Sequence, residues 1–104
     1  MLTALLADVH ANREALTACL ADAEEAGAER YVFLGDLVGY GPDPAWVVER
    51  VAAMVADGAL AIQGNHDAAA ATETDTMSAV ARAAIVWTRE RLSRAQRAFL
   101  RELP

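Results

Sequence analysis

Three short stretches hold most of the residues able to do chemistry: Asp8-Val9-His10, Gly35-Asp36 and Gly64-Asn65-His66-Asp67. Both histidines of the chain fall within them. Their side chains offer carboxylate, amide and imidazole donors and no thiolate. Such a set suits a divalent ion such as Mn, Fe, Ni or Zn better than a cysteine-based structural zinc site. Each stretch alone also reads as a turn: DVH as a helix-capping turn, Asp36 as a cap for the turn at 35–39, NHD as a hydrogen-bonded loop. Together they ask for something positive, because carboxylates gathered in one place repel unless compensated.

The elements that must position them follow from the apolar pattern. Leu2–Ala7 is a short apolar run with the length of a buried strand. Asn12 is a suitable N-cap for a helix carrying Leu16, Cys19, Leu20 and Ala23, with Gly27 as its stop. Tyr31–Leu34 reads as a second strand. Asp43-Pro44 opens a second helix with Trp46, Val47, Val51 and Met54, ending at Gly58. Ala59–Ile62 reads as a third strand. This alternation predicts an α/β fold, a parallel βαβαβ sheet flanked by helices, with a core over 1–67. The strands lack polar alternation, which predicts a sheet covered on both faces. A loop over 68–77 follows, then helices over 78–103. Ser93 and Gln96 form a capping box for the last helix, which carries Phe99, Leu100 and Leu103. No domain boundary is visible, so 1–104 is read as one domain. In an open parallel sheet, ligands sit beyond the carboxyl ends of the strands. All three polar stretches fall there.

Taken as a set, DVHAN, GDLVGYGPDP and GNHDAA resemble the first three blocks of the calcineurin-like metallophosphoesterases, in particular their small bacterial and archaeal phosphodiesterase-like branch. The resemblance runs across essentially the whole chain. It implies a four-layer α/β sandwich of which this sequence supplies the N-terminal half. It implies a two-metal site that hydrolyses a phosphodiester or phosphomonoester with a metal-activated water. Asp8 and His10 would ligate the first ion, Asp36 would bridge both, and Asn65 would ligate the second. His66 would stand beside the phosphate, stabilising charge or protonating the leaving group. Asp67 would orient His66 through a hydrogen bond. Where such proteins often carry Gly after the first His, this chain has Ala11; Asn12 is retained. Their further His block and late GHxH block are not in these 104 residues. The expectation is therefore a half-site, with one ion held weakly and an uncovered sheet face open to self-association. The alternative reading is a truncated half-domain with little or no catalysis.

The remaining features bound the answer. Net charge is −6, which disfavours duplex nucleic acid as a partner; a small phosphate ester is the expected one. Residues 1–75 carry net −10 and residues 76–104 net +4. The six arginines of the tail are assigned no site role. No apolar run is long enough to cross a membrane, and MLTALLADVH has no secretory pattern, so a cytoplasmic location is expected. Cys19 is read as a small buried apolar residue. Trp46 and Trp87 are read as core or interface anchors. Tyr40 suits either the substrate mouth or a closing contact over the sheet.

Overall fold

The computed structural model describes residues 1–72 and 78–104. Three parallel strands, β1 (Leu2–Leu6), β2 (Ala28–Phe33) and β3 (Leu60–Ala61), lie in the order β1-β2-β3. Helix α1 (Arg13–Glu25) joins the first pair and α2 (Pro44–Ala56) the second. Helices α3 (Asn65–Thr72), α4 (Ala79–Arg91) and α5 (Arg94–Glu102) complete the described chain. The predicted parallel α/β arrangement is the observed one. None of the described helices is long and apolar enough to cross a membrane.

Local chemistry sets the helix limits. The Asn12 side chain accepts from Ala15 N at 3.0 Å and starts α1. Pro44 occupies the first turn of α2, although Asp43 makes no side-chain cap bond. Ser93 and Gln96 bond reciprocally at the start of α5. Phe33, Leu37, Val38, Val47, Val51 and Leu100 are fully buried and form the centre of the core. Helix α5 is tied beside β3: Gln63 N donates to Pro104 O at 2.6 Å, and Gln63 Nε2 donates to Leu100 O at 2.9 Å. Arg89 of α4 donates to the Ala69 and Ala70 carbonyls, capping the last turn of α3.

Three expectations are corrected. Residues 68–72 belong to α3 rather than to a loop. Alanine is the strongest helix former, and the Asp67 carboxylate accepts from Gly64 N at 3.0 Å, which fixes the first turn. The rest of the predicted loop, 73–77, lies outside the described residues. Strand β1 is not buried on both faces: Leu2 is 50% and Leu5 67% exposed. Among the described residues only β2 pairs with it, which leaves its outer edge open. Cys19 is exposed, because α1 turns Leu16 and Leu20 to the core instead.

Candidate metal centre

The backbone brings the three polar stretches together by extending the β1–β2 pairing past the strand ends. Asp8 N donates to Gly35 O, His10 N to Asp36 O at 2.9 Å, and Ala11 N to Leu37 O at 2.8 Å. The DVHA loop therefore lies alongside the GDL loop. The third stretch is locked on from the other side: His66 N donates to Asp36 Oδ1 at 3.0 Å. Gly64 is pressed against Asp36 so closely that a Cβ there would collide with the Asp36 backbone and carboxylate. That contact requires glycine.

The result is one cluster. Asp8, His10 and Asp36 each offer a ligand atom, and these atoms lie within 4.8 Å of one another. His10 Nδ1 lies 3.0 Å from the Val38 carbonyl, which can only accept, so Nδ1 carries a proton and the neutral ring presents its lone pair at Nε2. A second partner that fixes the tautomer in this way is the usual companion of a metal-ligating imidazole. His10 Nε2 is 3.9 Å from Asp8 Oδ1. The Asn65 amide points one end at Asp36, 3.1 and 3.2 Å from the two carboxylate oxygens. With nitrogen at that end it donates to both. With oxygen there, the three atoms form an acceptor-only set suited to a cation. The donors present thus fit a divalent ion.

Strain concentrates here. All five described non-glycine residues with positive φ are Asp8, His10, Ala11, Asp36 and Tyr40. Each costs on the order of 1–3 kcal/mol, and such strain persists only where surrounding contacts over-determine it.

His66 and Asp67 are buried, and their environments differ from the expectation. The Asp67 carboxylate accepts from Leu37 N at 2.9 Å, Val38 N at 3.2 Å and Gly64 N at 3.0 Å. The predicted hydrogen bond from Asp67 to His66 is not formed. Two of the amides converge on Asp67 because the GDLV loop folds over the start of α3 and must satisfy its buried N–H groups; the third, from Gly64, is a local bond at the helix start. Burial pushes the Asp67 carboxyl above its ordinary range, while the three amides pull it back. His66 Nδ1 is buried without a hydrogen-bond partner among the described residues. Burial lowers the imidazole's pKa, with Asp36 and Asp8 opposing and His10 adding to the shift. Rings rather than hydrogen bonds surround it. Its centroid is 4.8 Å from that of Tyr40 and 5.0 Å from that of His10.

The family model for calcineurin-like phosphoesterases matches residues 1–99. The chain belongs to that family. A metallophosphoesterase from Sphaerobacter thermophilus is 38% identical with a TM-score of 0.76, over 98% of this chain and 41% of its own. A hypothetical protein from Pyrococcus horikoshii is 28% identical with a TM-score of 0.84, over 98% of this chain and 47% of its own. An uncharacterised protein of Methanocaldococcus jannaschii is 34% identical over 97% of this chain and 41% of its own length. This calcineurin-like phosphoesterase segment therefore spans less than half the length of the proteins it matches.

Several contributors to the site carried no sequence signal of their own. The Val38 carbonyl is a backbone group, and its role depends on the loop path. Gly39 and Gly64 were visible only as glycines beside polar residues. Ala11 is buried with φ +55°, a conformation that favours glycine over a residue with a Cβ.

Proposed function

We propose that this calcineurin-like phosphoesterase segment supplies the first half of a metal-dependent active site that hydrolyses a phosphodiester or phosphomonoester. The Asp8–His10–Asp36 cluster, with the His10 tautomer set by Val38, carries the reading. Asp8, His10 and Asp36 would hold a first divalent ion, and Asp36 and Asn65 would offer two ligands to a second. Bound ions, with Mn, Fe, Ni and Zn all compatible with the donors, supply Lewis acidity and a water activated for in-line attack. Asp36 would serve both positions, since a carboxylate has two oxygens to offer. Asn65 adds an oxygen without adding charge. His66 stands at the cluster to stabilise phosphate charge or protonate the leaving group. Asp67 acts through the backbone, fixing the start of α3 under the GDLV loop.

Calorimetry with Mn on the 104-residue chain tests the half-site. We expect one weak site, lost in Asp36→Ala: the first position has the three protein ligands usual in catalytic sites, and the second has only two. Two tight sites would contradict the half-site. The full-length protein should hydrolyse bis(4-nitrophenyl) phosphate or 4-nitrophenyl phosphate only with added metal. Absence of any metal-dependent turnover sinks the enzymatic reading.

The open β1 face favours a second reading, in which this segment alone binds one ion and associates with a second copy. Leu2 and Leu5 stand exposed beside a groove of about 740 Å³ between β1 and α1. Sedimentation giving a concentration-independent monomer would remove it.

A further inference from the structure

We propose that Tyr40 is a positioning residue for His66, holding its imidazole by ring packing in place of a hydrogen bond. The inference rests on the phosphoesterase reading for what His66 does, and on geometry alone for how it is held.

The first observation is the backbone. Tyr40 has φ +63°, and Gly41 N donates to Gly39 O at 2.7 Å across it. That is a γ-turn of the rarer, strained hand, an unusual place for a bulky side chain. The second is what the turn touches. A Cβ on Gly39 would sit 2.5 Å from His66 Nδ1, and one on Gly41 would collide with the His10 carbonyl. Gly39-Tyr40-Gly41 is therefore wedged between the first and third polar stretches. The third is the side chain. The Tyr40 ring meets the His66 ring at 4.8 Å with a 52° tilt and the His10 ring edge-on at 5.3 Å. Yet Tyr40 is 58% exposed, so burial of its own surface does not explain its place. The fourth is that His66 is 7% exposed with Nδ1 unpartnered, and Asp67 is committed to backbone amides. Among the described residues nothing polar fixes the His66 ring. Two rings and a glycine do.

This assignment makes the aromatic face of Tyr40 the working part. Tyr40→Phe keeps that face, whereas Tyr40→Leu keeps bulk and loses it. The chain has only two histidines, so both can be followed by NMR. In the 104-residue chain, the His66 ring protons should lose their ring-current shift in Tyr40→Leu and regain it in Tyr40→Phe. In the full-length protein, Tyr40→Leu should lower kcat on the order of 10²-fold, the scale of a misplaced catalytic group, with KM little changed. Tyr40→Phe should recover most of that loss. Unchanged His66 signals in Tyr40→Leu overturn the proposal. So does a rise in KM alone, or a Tyr40→Phe variant as impaired as Tyr40→Leu. A wild-type protein without turnover would refute the phosphoesterase reading, and the ring-current result would still decide the positioning.

Discussion

The two edges of the sheet are finished differently. The β3 edge is short and closed, bound to the end of α5 through Gln63. The β1 edge is longer and open, with Leu5 facing solvent and an apolar groove alongside. The candidate metal centre lies across both. Its closed side holds Asp67, fully buried on three amides; its open side holds Asp8, whose side chain is 72% exposed. The same residue type thus does opposite work at the two ends. On the closed side a carboxylate builds the loop. On the open side it is left available to a ligand.

The sharpest way to break this comparison is to truncate both carboxylates. Asp67→Ala orphans two buried N–H groups, each costing roughly 1–3 kcal/mol, and a half-buried one at Gly64. We expect a loss of about 3 kcal/mol or more, read by urea unfolding. Asp8→Ala should cost metal-free stability much less, since the side chain is exposed and only the left-handed backbone disfavours alanine, and should abolish thermal stabilisation by Mn. Equal destabilisation by the two substitutions would dissolve the distinction.

Gly64→Ala comes next in size. Its Cβ meets the Asp36 backbone, which has no rotamer to give, so an overpacking cost of about 1–3 kcal/mol is expected. Because Asp36 must move, Mn binding by calorimetry should weaken in the same variant. Undiminished binding would mean that Asp36 is not a ligand. At the open edge, Leu5→Glu should change unfolding free energy by less than about 0.5 kcal/mol. It should nevertheless shift sedimentation toward monomer if the wild-type segment associates through β1. Unaltered association would place the contact elsewhere.

Legibility in the sequence follows the same division. Asp8, His10, Asp36 and Asn65 could be picked out because a parallel sheet delivers its loops to one edge, and three polar loops in a row are conspicuous. Asn12 and the Ser93–Gln96 box could be read because capping is local. The partners of Asp67 could not. A run of Asn-His-Asp invites a bond between neighbours, but the GDLV amides are some 30 residues away in the chain and have the stronger claim. Helix α3 was hidden by its alanines, which form helix well but give no contrast between a buried and an exposed face. Cys19 and β1 were misplaced for one shared reason: apolarity does not say which neighbour supplies the cover.

Ala11 is the finest probe of how tightly the open side is built. It has φ +55° and is fully buried, so two effects oppose each other there. Ala11→Gly relieves a left-handed conformation that costs roughly 1–2 kcal/mol for a residue with a Cβ. It also removes a buried methyl worth about 0.8 kcal/mol and adds unfolded-chain freedom of about 0.5–1 kcal/mol. The terms nearly cancel, so the expected change is under about 1 kcal/mol by urea unfolding. A clear gain would mean that strain in the DVHA loop is carried at a cost to stability, as expected of a loop held for ligand binding. A clear loss would mean that the Ala11 methyl is itself a contact the GDL loop leans on. The open side would then be built nearly as firmly as the closed one.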